Sequence, residues 1–308
     1  MKSSSIYTPT VILMAVAAGI CSGSNYFSQP LIHSMAVALH LSETTVAWVP
    51  TLAQIAYAIG LLLLMPLGDI LEKRRLLFVL MLLASLGLLM SGFSSHISWI
   101  MLGTVITGLF SISAQLLLPL AASLVPIQHS GRVVGFLISG LMIGILLARS
   151  LSGLMSTSFA WNIIYQISGF LLLIIAVVLY NKIGSFPATQ SESYFKTIRS
   201  IPIIFKQNQR LRRRTYIGFL TFAGISMTFT TMSLLLAPAP YYFSDFTIGL
   251  FGFVGIIGTF IANFSGKYID QGYIHKISIS CGIGLILSWL LFTLLPFSFV
   301  YYLSLIHI

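Results

Sequence analysis

Arg149 is the one charged residue inside a long apolar run of this chain, in the stretch "IGILLARSLSG". A guanidinium can hold an anionic or polar molecule, tie two groups of helices together, or lie along an apolar surface with its head in water. Uncharged polar residues interrupt other apolar runs at helical spacing. Asn25 and Gln29, Gln54 and Tyr57, Ser111 and Gln115, and Ser226 and Thr230 are each three or four residues apart, so each pair shares a helix face. Such groups suit hydrogen bonding to a polar guest or to one another across helices, and both uses stay open. Asn25, Gln29, Gln54, Tyr57, Gln115 and Arg149 are the candidate cavity residues. Ion pairing is concentrated elsewhere, in "MPLGDILEKRRLLFV", where Asp69, Glu72, Lys73, Arg74 and Arg75 crowd together.

The elements that carry these residues follow from composition. Of 308 residues, 57% are hydrophobic and only 7% charged, whereas a soluble domain is about a quarter charged. Apolar stretches of about 18 or more residues read as membrane-spanning helices. They run over 10–31, 46–67, 76–93, 99–125, 133–154, 163–180, 216–236, 248–265 and 277–295. A tenth starts near Ser298 and is still apolar at Ile308. The expectation is an all-α integral membrane protein with nine complete helices and part of a tenth. The first run is too long for a signal peptide and carries Asn25, Tyr26 and Gln29, so a retained helix is expected. Cys21 and Cys281 both fall in apolar helices and set up no disulfide framework.

Within its helix, Arg149 lies roughly 24 Å from Val133 at 1.5 Å per residue, in the far third of a bilayer. Insertion scales place an Arg at the centre at about 2.5–3.5 kcal/mol unfavourable, which marks such a residue as functional by default. A role between helix groups, direct contact with an anionic or polar substrate, and snorkelling are all compatible with that depth.

Charge gives the orientation. With the amino terminus cytoplasmic, alternation places Lys2, the 69–75 link, the 126–132 link, 181–214 and 266–276 inside. Those segments hold all of the chain's 16 Lys and Arg residues except Arg149. Cytoplasmic loops accumulate Lys and Arg in this way. The +10 net charge is thus explained by topology and calls for no nucleic-acid partner. An internal repeat agrees. "GDILEKRR" laid over "GKYIDQGYIHK" puts Asp69 on Asp270, each copy following a descending helix. The longest polar segment lies between the copies. The implied domains are a first half over 1–181, a cytoplasmic linker over 182–214 and a second, incomplete half over 215–308.

With two such halves, the chain resembles the major facilitator superfamily. That family's signature after helix two is approximately G-x-x-x-D-R-x-G-R-R. Asp69 matches it, as do Lys73 and Arg74 at the basic places, while Met65, Ile70 and Glu72 depart from it. In the second copy Gly266 and Asp270 match. "NYFSQPL", "PLGDILEKRR", "IGILLARSLSG" and "IGLFGFVGIIG", in this order, resemble the efflux-type subgroup called arabinose-efflux permease-like, close to drug–proton antiporters. The antiporter pattern of helix five, G-x-x-x-G-P-x-x-G-G, is met at Gly140 and Gly144, whereas Ile145, Ala148 and Arg149 replace its Pro and its Gly pair.

The resemblance implies a bundle of two six-helix halves, each of 3+3 inverted repeats, with a site near the midplane. It implies a monomer that moves a small molecule across a bacterial-type inner membrane by alternating access, as efflux coupled to protons. It also implies a cytoplasmic gating latch built from Asp69, Lys73, Arg74, Arg75, Gly266 and Asp270. The alternative for the basic residues is that they only fix topology. Small residues mark close helix contacts: Gly140 and Gly144 in helix five, Gly252 and Gly255 in helix eight. If those two helices face each other, the stripes form the sliding surface.

No Asp or Glu falls in the middle of a helix, and Glu43 and Asp245 read as outer-loop residues. Proton coupling then runs through Asp69 or His33, through a carboxylate in further helices, or does not occur. An uptake carrier of the same fold is the alternative function. A membrane-embedded enzyme would need clustered ligands or nucleophiles, and His33, His40, His96, His129, His275 and His307 are scattered. No nucleotide loop and no cofactor are expected. A bundle cut in its tenth helix would leave cavity walls facing lipid, so a chain truncated at Ile308 is expected not to transport.

Overall fold

A computed structural model describes residues 9–186, 193–239, 241–251 and single positions between 276 and 290. Most of predicted helix eight, helices nine and ten, and with them Gly252, Gly255, Gly266 and Asp270, lie outside the described residues. All the regular elements described are helical: α1 (Pro9–Gly23), α2 (Ile32–Leu39), α3 (Glu43–Val46), α4 (Trp48–Leu63), α5 (Leu67–Ile70), α6 (Lys73–Phe93), α7 (Ile97–Phe110), α8 (Ser113–Ser123), α9 (Ile127–Ser158), α10 (Ile163–Lys182), α11 (Tyr194–Gln207) and α12 (Gln209–Leu236). Six stretches among the described residues are long and apolar enough to cross a membrane: 43–70, 73–93, 97–123, 127–158, 163–182 and 209–236.

Two expected helices are broken where their polar residues lie. Predicted helix one stops at Gly23, makes a single 3-10 turn over Ser24–Tyr26, and resumes as α2. Ser24 and Asn25 donate from their side chains to the Cys21 carbonyl at 2.8 and 3.3 Å. Such local bonds compete with the helical ladder, and Pro30 has no N–H to continue it. Predicted helix four breaks at Ser111–Ile112, between α7 and α8. Ser111 returns its hydroxyl to the Gly108 carbonyl at 3.0 Å.

Around these breaks α1 packs on α9, α4 on α7, and α6 lies between α7 and α10. One apolar core joins them, with Met14, Leu31, Met81, Leu117, Leu137 and Leu172 wholly buried. A separate apolar cluster forms around Met232, Leu236, Ile248 and Phe251. The polar segment 182–214 is partly helical, since α11 fills its middle and α12 already starts at Gln209.

Glu72 ends the turn after α5 by capping α6. Its carboxylate accepts from the Arg75 N–H at 3.2 Å and pairs with the Arg75 guanidinium at 3.4 Å. The family pattern has Gly at this position, and here a cap replaces it.

Candidate functional site

Arg149 sits on α9 where three helices converge, and it is 4% exposed. Its Nε donates to Gln29 Oε1 at 2.9 Å and an Nη1 reaches the Ile145 carbonyl at 3.4 Å. The guanidinium carbon lies 4.6 Å from the centre of the Tyr26 ring and 3.9 Å from that of Phe229. Tyr26 and Gln29 come from the broken stretch after α1, and Phe229 comes from α12. The side chain is therefore turned inward and does not snorkel. Two aromatic faces stabilise a desolvated cation, each by about 0.5–2 kcal/mol. Neither the His33–Glu43 nor the Glu72–Arg75 ion pair includes Arg149.

The other polar candidates form a chain beside it. Asn25 Nδ2 donates to Ser111 Oγ at 2.9 Å, so the two helix breaks meet each other. Gln54 Nε2 reaches the Asn25 carbonyl, freed from the ladder by the break, at 3.5 Å. Gln115 Nε2 donates to the Tyr57 hydroxyl at 3.2 Å. Asn25 and Gln29 are buried, and Gln54, Tyr57, Gln115, Ser226 and Thr230 are half-buried. Unwound backbone deep in a bundle is tolerated where polar side chains satisfy it, and such breaks line substrate sites in carriers.

Gly140 and Gly144 pack against α1. A Cβ on Gly140 would stand 2.9 Å from the Ala15 carbonyl, and one on Gly144 would run into the Gly19 backbone. The contact between α9 and the segment that opens helix eight lies further along. Ser150 Oγ donates to the Gly249 carbonyl at 2.7 Å, a Cβ on Gly249 would stand 2.6 Å from the Arg149 carbonyl, and one on Gly153 would meet the Asp245 backbone.

At this same end lies a cluster that the sequence reading set aside. Asp245 is 4% exposed. Ser34 of α2 and Ser156 of α9 both donate to its Oδ2, Ser156 at 2.7 Å. Burial pushes the Asp245 carboxyl above its usual range, while the two hydroxyls and the nearby His33 pull it back down. His33 Nδ1 in turn contacts Glu43 Oε1 at 2.6 Å. Nothing local in the sequence announces this, because Ser34 and Ser156 are 211 and 89 residues away from Asp245.

The opposite end holds the charged motif. Arg74 stacks on Tyr180 of α10 with its guanidinium carbon 4.1 Å from the ring centre. Lys73 N–H donates to the Phe186 carbonyl at 3.1 Å. A groove of about 420 Å³ opens here, lined by Asp69, Lys73, Leu116 and Pro119 together with Thr197 and Ser200 of α11. The Tyr194 hydroxyl fastens α11 by donating to the Leu63 carbonyl at 2.9 Å. Arg74 and Arg75 are thus held by partners in the first part of the chain.

Comparison with known proteins agrees with this architecture. The chain is 39% identical over 280 residues to the uncharacterized transporter YgaY of Escherichia coli O157:H7, covering 91% of this chain and 71% of that one. It is 24% identical over 296 residues to a probable sugar efflux transporter of Helicobacter acinonychis, covering 90% and 69%. Among solved structures, the nucleoside transporter NupG (D323A mutant) matches with a TM-score of 0.73 at 14% identity, covering 97% of this chain and 79% of that one. The partially occluded inward-open xylose transporter XylE from E. coli matches at 0.65 and 15% identity, covering 96% and 82%. The family description Major Facilitator Superfamily matches residues 14–308. This all-α, membrane-spanning chain belongs to that superfamily of small-molecule transporters.

Proposed function

We propose that this chain serves efflux of a small polar compound by alternating access, driven by protons, with the Arg149 junction as the core of the site. The observation that carries this reading is Arg149 itself, clasped between Gln29 and Tyr26 on one side and Phe229 on the other. A group that bridges α9 and α12 must change partners when the two halves over 1–181 and 215–308 rock. Gln54, Tyr57, Asn25 and Gln115 supply the neighbouring hydrogen bonds. Asp69, Lys73, Arg74 and Arg75 form the cytoplasmic latch with the segment around Gly266 and Asp270. Lys73 and α11 share one end, as expected if the basic segments are all cytoplasmic. In this orientation the Asp245 end faces outward, the amino terminus is cytoplasmic, and the working unit is a monomer in the inner membrane.

The efflux relatives favour export over uptake. The test uses everted membrane vesicles from cells expressing the gene, an imposed pH gradient and a panel of labelled sugars, nucleosides and organic acids. At least one compound should accumulate, a protonophore should abolish the accumulation, and Arg149→Met should cut it at least tenfold. Accumulation only in right-side-out vesicles would assign uptake. Accumulation that Arg149→Met leaves intact would remove the junction from the site.

A further inference from the structure

Asp245 joins two parts of the molecule that alternating access must separate. It precedes predicted helix eight, and both of its side-chain partners come from the first half. Ser34 belongs to α2 and Ser156 to the last turns of α9, and both hydroxyls converge on one oxygen. The backbone around it is closed as tightly. Ser150 donates to the Gly249 carbonyl, and Gly153 packs on the Asp245 backbone so closely that no Cβ fits. Next to it, Phe243 N–H donates to the Leu236 carbonyl at 2.9 Å, pinning the segment to the end of α12. When this end opens, the carboxyl must leave both hydroxyls and enter water.

We propose that Asp245 is a proton-binding site: it takes up a proton when this end of the bundle closes and releases it when the end opens. This rests on the alternating-access reading above and makes closure of this end respond to pH. The exchange is a single protonation, with the proton drawn from and returned to water at that end. The acid–base setting supports it. Burial raises the carboxyl while Ser34, Ser156 and His33 partly offset the rise. The groups facing it are His33 and Ser34 from α2, with Glu43 held on His33, and Ser156 from α9. Arg149 stands about two turns further in, roughly 10 Å along α9 at 1.5 Å per residue.

The sign follows from linkage. A closed-state carboxyl that titrates above its hydrated, open-state value binds more protons when closed. Closure is then favoured at low pH, and that advantage is lost as pH rises through the interval between the two values. One unit of separation changes the open-to-closed ratio about tenfold.

The experiment reads access, not flux. Ser150→Cys, in a chain with Cys21 and Cys281 replaced by Ala, is reconstituted in nanodiscs so that both faces meet a membrane-impermeant maleimide. Labelling is divided by that of the unfolded protein at each pH. The ratio should rise as pH increases from about 4 to 8.5, stay low and flat in Asp245→Asn, and persist in His33→Gln with its course moved to higher pH, because His33 helps to hold the carboxyl down. Ser156→Ala, which removes one hydroxyl from the carboxylate, should extend the rise to higher pH. A pH course that survives Asp245→Asn, disappears in His33→Gln or ignores Ser156→Ala overturns the proposal. Labelling that is substantial but flat in the parent overturns it while leaving alternating access standing. No labelling at any pH overturns both.

Discussion

Arg149 is accommodated by ring faces and an amide, and this has a measurable consequence. Arg→Lys would not be conservative here, because a lysine ammonium has neither a planar face for Tyr26 and Phe229 nor a fork for Gln29. Removing Gln29 alone leaves a buried cation short of a charge-assisted hydrogen bond, which typically contributes about 1.5–3 kcal/mol. We expect Gln29→Leu to lower the thermal midpoint of the purified protein in detergent. In the Arg149→Met background the same change should cost far less, because the two residues act together. Equal, additive losses would mean that the 2.9 Å contact carries no energy. The sequence made Arg149 conspicuous, since one charge in an apolar run needs an explanation. It gave no sign of Tyr26 and Phe229, since among 13 Tyr and 22 Phe nothing marks the two that meet a guanidinium. Asp245 was legible only as a residue outside the apolar runs; its burial depends on two distant serines.

Helices emerged from hydropathy with useful accuracy, whereas their interruptions and partners did not. The run over 10–31 is apolar enough to look continuous, and its break at Ser24–Tyr26 reflects hydroxyl and amide side chains that bond the backbone. The glycines show the same limit. A spacing of four in Gly140 and Gly144 signals close approach, but not which helix approaches, and the partner is α1. That assignment predicts a contrast. Gly144→Ala places a methyl against the Gly19 backbone, which has no side chain to move aside. Wedging two helices apart in this way costs about 1–3 kcal/mol and should reduce the monodisperse fraction in size-exclusion chromatography. Gly135→Ala, on the same helix with open space around it, should be neutral or stabilise by up to about 1 kcal/mol. Similar losses from both would show that helix propensity decides and the α1–α9 contact does not.

Across the whole molecule the two ends of the bundle compete. At the Asp245 end, α9 and the start of helix eight are in contact, and Arg149 clasps α12 beneath them. At the Asp69 end there is a groove. If the halves rock as bodies, opening one end must close the other, and α9 and α12, which run between the ends, should report it. Spin labels at Phe159 and Leu235 sample the Asp245 end, and labels at Ile127 and Gln209 sample the Asp69 end. Phe159, Leu235 and Ile127 are exposed, at 76%, 42% and 85%, and Gln209 is exposed too. Raising the pH should lengthen the first distance distribution and shorten the second. Asp69→Asn removes an acidic group from the latch proposed at the second end and, on that reading, disfavours closure there. It should shift the population back toward a closed Asp245 end by about 5- to 30-fold, the scale of about 1–2 kcal/mol of coupling between sites. Distances that change at one end alone would replace rocking with a local gate. A shift of the opposite sign would mean that Asp69 repels, not fastens, what approaches it.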